Sequence, residues 1–157
     1  MKRCMGGIIV LFVIIFIWHN SLQDAMHSEY ASLAVVHLMQ PLLATLGVTV
    51  STGVLDALLR KVAHLSEFTL LGFVLCTSCS FFNGLNEKKV WVTLLIGLCV
   101  AVIDELLQRF SPGRSCQISD MLLDWCGVWI GLGMVVGVRK IRAVLGRDKS
   151  RCKKKRL

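Results

Sequence analysis

Charge is scarce over most of this sequence. Only 18% of the 157 residues are charged, 55% are apolar, and the mean hydropathy is +0.66. The helices of a soluble core carry a polar outer face, and long stretches here have none, so a soluble domain is excluded. The length allows one domain. Acids are missing at the end of the chain: ten of the eighteen Lys and Arg lie between Arg139 and Arg156, where Asp148 is the only acid. Of the formal charge of +8, that stretch carries +9 and the rest about −1, so the basic character is a tail and not a surface. The seven cysteines lack the features of a framework. Cys76-x-x-Cys79 has no second pair and no nearby His, which argues against zinc or redox chemistry, and most of the others sit in apolar runs as small hydrophobes. A small-x-small cleavage site is also missing after the first apolar run. Cleavage after Ala25 would leave Gln23 at the third position, and cleavage after Ser21 would leave His19, which reads as an uncleaved anchor. There is no internal repeat, and the basic tail is the one low-complexity region.

What is there is a set of apolar segments. A helix needs roughly 20 mainly apolar residues to cross the hydrocarbon layer. Four segments meet or approach this: Met5 to Trp18, Val62 to Phe82, Val90 to Gln108, and Asp120 to Val138. The expected fold is therefore all-α, a polytopic membrane protein with a bundle of four transmembrane helices. Ala31 to Val50 is also apolar, but it contains His37, Gln40 and Pro41, and a fifth crossing would export the basic tail. It is read as an extracytoplasmic interfacial or re-entrant helix. The organisation follows: residues 1–18 as an N-terminal anchor, 19–59 as an extracytoplasmic segment, 60–138 as a three-helix core, and 139–157 as a basic cytoplasmic tail. With the N-terminus inside, fourteen Lys and Arg stay on the cytoplasmic side and four (Arg60, Lys61, Arg109, Arg114) lie outside, as the positive-inside rule requires. Asn83-Gly84 with Asn86 marks an inner turn, and Ser111-Pro112-Gly113-Arg114 an outer one.

Ionisable residues inside a membrane are costly and each asks for a reason. Here they fall in stripes. Arg60, His64, Glu67 and Leu71 are spaced 0, 4, 7, 11, and the same spacing recurs in Gly97, Ala101, Asp104, Gln108 and in Asp120, Asp124, Gly127, Gly131. At 3.6 residues per turn, each set keeps its side chains on one helix face, within about 60°. On the last two helices the stripe changes from polar to Gly or Ala, and small residues let helices approach closely. The stripes are expected to face one another and to gather Glu67, Asp104, Glu105, Asp120, Asp124 and His64 near the outer edge, with Arg60, Lys61, Arg109 and Arg114 close by. The structural alternative is that these groups pair internally and lock the register of the bundle.

Several of these motifs together resemble the VanZ-like family. They are Arg60-Lys61-x-x-His64-x-x-Glu67-Phe68, Leu71-Gly72, Asp104-Glu105-x-x-Gln108-x-Phe110-x-Pro112-Gly113-Arg114, and Asp120-x-x-x-Asp124-x-x-Gly127-x-x-x-Gly131. The resemblance spans about Arg60 to Gly133, with Asp124 standing where the commonest form of the motif has Asn. It implies an integral protein of the bacterial cytoplasmic membrane, in a family named for a protein linked to low-level teicoplanin resistance. It implies no reaction.

Three functions compete. The first is an envelope protein whose outer pocket binds an anionic lipid-linked or other envelope component, with Arg114 and Lys61 holding a headgroup, and lowers exposure to glycopeptides. Candidate chemistry is assigned to His64, Glu67 and Asp104, and binding to Arg60, Lys61, Glu105, Gln108, Arg114, Asp120 and Asp124. The second is a membrane-embedded hydrolase or transferase in which His64 acts as acid or base and the carboxylates hold a divalent metal. Glu105-x-x-x-Arg109 is similar to a motif of intramembrane CAAX-type proteases, but those need later His residues and none follows His64. The third is a structural or partner-binding protein whose stripes only hold helices together. Cofactor, metal and oligomeric state are not specified by the sequence. The partner expected in every case is the lipid bilayer, with no nucleic acid.

Overall fold

Apolar periodicity without β-type alternation produces helices throughout. The computed structural model describes the backbone of residues 2–23, 25–47, 50–80, 85–111 and 117–154, and side chains over 5–23, 32–47, 50–79, 85–111 and 117–145. It contains five helices and, among the described residues, no strand: α1 (Lys2–Ser21), α2 (Ala25–Thr45), α3 (Thr52–Ser80), α4 (Glu87–Gln108) and α5 (Ile118–Lys154). The fold is all-α, as the sequence leads one to expect. Three helices are long and apolar enough to cross a membrane, over Thr52–Cys79, Glu87–Gln108 and Ile118–Leu145. The described apolar stretches of α1 (Met5–Ser21) and α2 (Ser32–Thr45) are shorter. The chain is a membrane protein.

Helix boundaries differ from the sequence reading in three places, each for a local reason. The helix expected from Val62 begins at Thr52 and runs through the expected boundary at residue 60. Its early polar pair does not break it, because Arg60 reaches back one turn to Asp56 at 2.7 Å and a neutralised i,i+4 pair supports a helix. The segment expected to form a helix over residues 31–50 does so over Ala25–Thr45, with Pro41 inside. It ends at Gly47, whose φ of +74° is the left-handed conformation that favours glycine after a helix. The helix expected to end at Val138 runs on into the basic stretch, as the 37-residue α5 over Ile118–Lys154. At about 55 Å that helix is longer than the roughly 30 Å hydrocarbon layer, so part of it projects beyond.

The core lies among α1, α3, α4 and α5, built from Val13, Ile17, Phe68, Leu71, Leu75, Cys76, Leu94, Val100, Ala101, Val128, Leu132 and Val135. The α3–α5 contact is the most extensive, and α2 packs on α3 alone among the described elements. Glycine explains the first of these. A Cβ on Gly72 would lie 2.3 Å from the Val128 carbonyl oxygen, and one on Gly131 would lie 2.1 Å from that of Thr69. The two backbones touch through these positions, which is close packing by small residues. Cys76 is fully buried in this core, in keeping with a packing role.

Candidate functional site

The α3–α5 contact continues towards the polar end of the same faces. Gly127 brings α5 against α3, with its Cβ position 2.8 Å from the Leu65 carbonyl oxygen. One turn earlier on α5, Asp124 is carried to His64, the Nδ1 of which lies 4.0 Å from Asp124 Oδ1 and 3.8 Å from Asp104 Oδ2 of α4. A ligand atom from each of His64, Asp104 and Asp124 lies within 4.8 Å of the other two. Three stripes, one per helix, therefore meet at one level.

Burial of the acids is nearly complete. Asp104 is 0% exposed and Asp124 and Glu105 1%, while His64 keeps its side chain 22% exposed and opens the cluster to its surroundings. Each carboxylate is held differently. Asp104 accepts from Ser21 Oγ at 2.6 Å and from Gln108 Nε2 at 3.0 Å. Glu105 accepts from the Gln117 backbone N–H at the start of α5. Glu67 accepts from Asn20 Nδ2 at 2.8 Å. Asp124 has neither oxygen within hydrogen-bond reach of a donor among the described residues. Two ionised carboxylates whose oxygens are up to 4.8 Å apart repel by about 3–4 kcal/mol at an effective dielectric of about 20. Among the described residues the site thus gathers carboxyl groups around one imidazole, and its chemistry is that of a receptor for cations, protons or hydrogen-bond donors.

The other expected site residues are distributed around this centre. Gln108 supports Asp104 from the next turn of α4, and Glu105 lies beside it, facing the connection to α5. Lys61 reaches Asp120 at 2.6 Å, forming a half-exposed rim pair in the first turn of α5. Arg60 is not part of the cluster, contrary to the expectation. Its guanidinium is engaged by Asp56, which also accepts from Ser32 of α2, so Arg60 serves the α2–α3 contact. Arg109 is exposed just beyond α4. Arg114 and the Pro112-Gly113 turn lie outside the described residues.

Three contributors were not anticipated. Asn20 and Ser21, at the end of α1, donate to Glu67 and Asp104, and Ser111 Oγ donates to the Ser21 carbonyl at 3.0 Å. The signal was the polar run His19-Asn20-Ser21 that closes an otherwise apolar helix. Reading α1 as an anchor alone ended it at Trp18 and left those residues in the following segment. His64 lies not near the start of its helix but about 18 Å along α3 from Thr52.

No curated protein and no solved structure matches the chain. The family model described as VanZ/LLP1 matches residues 6–139, a stretch that takes in most of α1, all of α2 to α4, most of the spanning part of α5 and every residue of the cluster. On that match, the chain belongs to the VanZ/LLP1 family and is a VanZ-like envelope protein.

Proposed function

We propose that this is a protein of the bacterial cytoplasmic membrane whose polar cluster faces the exterior and binds a component of the outer leaflet, lowering exposure of the cell to teicoplanin-type glycopeptides. The observation that carries the reading is the convergence of His64, Asp104 and Asp124 from three helices on one nearly buried, acidic site with a partly exposed imidazole at its edge. Helix glue alone does not call for it, because unlike charges paired one to one would hold the register better than carboxylates gathered together. Family membership supplies the envelope context. Lys61 at the rim and Arg114 are the cations that an anionic headgroup would meet, and the carboxylates would orient its hydroxyl groups. In this reading α1 is a fourth crossing: Ile8, Phe12 and Ile15 are exposed on a helix whose opposite face packs Val13 and Ile17 on the core, as a lipid-facing helix does. Both termini are then cytoplasmic, which places the basic end of α5 against anionic inner-leaflet lipid.

The test is deletion of the gene followed by complementation with wild type and with His64→Ala, Asp104→Ala and Asp120→Ala, reading membrane abundance and teicoplanin sensitivity together. Normal abundance with lost protection supports a functional site. A parallel loss of both assigns the cluster to structure, and an unchanged sensitivity on deletion removes the glycopeptide role. Orientation is read with a membrane-impermeant maleimide on intact cells, where Cys116 should label and Cys152 should not.

A further inference from the structure

We propose that His64 Nδ1 and one carboxylate oxygen each from Asp104 and Asp124 form a binding site for a single divalent transition-metal ion, Zn2+ or Mn2+. The donor atoms already stand within 4.8 Å of one another. Around an ion with ligand distances of about 2.0–2.2 Å, tetrahedral ligands are about 3.4 Å apart. The imidazole-to-carboxylate separations of 3.8 and 4.0 Å need to close by only about half an ångström.

The independent observation is Asp124. Its carboxylate is 1% exposed, directed at the imidazole and at Asp104, and without a hydrogen-bond donor on either oxygen among the described residues. A buried carboxyl group in that condition is costly to ionise unless a cation accompanies it. No Lys or Arg among the described residues stands within ion-pair distance of it, since Lys61 is taken by Asp120 and Arg60 by Asp56. Asp104 shows the complementary feature. Ser21 and Gln108 orient it, as the outer partners of metal ligands do.

The ligand set selects the ion. Imidazole suits zinc and the later transition metals, carboxylates suit Mn2+ and harder ions, and the absence of a thiolate in the set disfavours Cu(I). Three protein ligands leave a position for water or a ligand oxygen, on the side where His64 is exposed. A cation there would also reconcile an acidic cluster with an anionic ligand, because a phosphate oxygen is a natural occupant of the open position. The proposal rests on the geometry of the cluster and not on the envelope role, and it is read by binding in vitro and not by antibiotic sensitivity, so either can fail without the other.

The experiment uses the full chain, untagged, purified in detergent, stripped with chelator and titrated separately with ZnCl2 and MnCl2. Metal content is measured after desalting and thermal unfolding with and without ion. The expected result is one ion per chain with a raised unfolding temperature. Asp124→Asn and His64→Gln should each weaken binding at least about 100-fold, and Gln108→Ala by about 10- to 100-fold as an outer partner. Because Asp124→Asn removes a buried negative charge, its metal-free form should unfold no earlier than wild type while losing the metal-induced shift. If that variant fails to fold, His64→Gln reads the same loss. Wild type that retains no ion and shows no shift with either metal overturns the proposal. So does Asp124→Asn or His64→Gln binding as tightly as wild type, which would place any bound ion elsewhere.

Discussion

The two ends of the α3–α5 contact obey opposite rules. At the glycine end, Gly72 and Gly131 place backbone on backbone with no room for a methyl group, beside the apolar core and with the Thr69 hydroxyl donating to the Leu65 carbonyl. At the polar end, about two turns away, the same two faces carry His64 and Asp124, whose atoms stand at 4.0 Å with no hydrogen bond between them. The first end is tightly packed and chemically quiet. The second is buried, charged and incompletely satisfied. Close approach at one end is what presses the other into a shared site, so stability and chemistry are divided along a single face.

Four substitutions test that division. Gly131→Ala should cost about 3 kcal/mol, the upper range for overpacking, because the atom it meets is the Thr69 carbonyl oxygen and not a movable side chain. Thermal unfolding in detergent would check it, and a tolerated alanine would mean that the helices are not held by this contact. Ser21→Ala should cost about 2 kcal/mol, the loss of a hydrogen bond to a charged group, with Asp104 left short of a donor. A stability equal to wild type would show that α1 is dispensable to the polar end. Gly97→Ala is the finer comparison. Its Cβ would meet Val128 Cγ1 at 2.6 Å, and because that side chain can rotate, the cost should stay near 1 kcal/mol. A loss as large as that of Gly131→Ala would make α4 as rigidly packed as α3 and α5. Lys61→Ala should change stability by less than about 0.5 kcal/mol, since its pair with Asp120 is half exposed and well solvated. A larger fall in chemical-denaturation stability would move the rim pair into the structural part of the molecule.

Much of this was legible because helix periodicity is a local property. The stripe on α4 is the clearest case: Gly97, Ala101, Asp104 and Gln108 were grouped by spacing, and all four are buried. Gly127-x-x-x-Gly131 has the spacing of a packing face, and it packs on α3. Arg60 shows the limit of the same argument. Its spacing to His64 puts both on one face of α3, but that face is long, and Asp56 one turn earlier, held by Ser32 of α2, draws the guanidinium towards a different neighbour. Asn20 and Ser21 lay beyond reach for a related reason, because no periodicity in α1 says that its last turn meets Asp104 and Glu67, residues 83 and 47 positions away.

Apolar content, helical spacing and the scarcity of charge were enough to establish an all-helical membrane protein with three striped helices, since each follows from how a side chain at i relates to those at i+3 and i+4. Which acid receives which donor, which cations are withdrawn into pairs, and that Asp124 lacks a hydrogen-bond donor among the described residues were decided only when the helices packed. Those outcomes depend on distances of a few ångströms between segments far apart in the chain. Between α3 and α5, glycine contacts with the facing backbone, and not the charges themselves, set those distances.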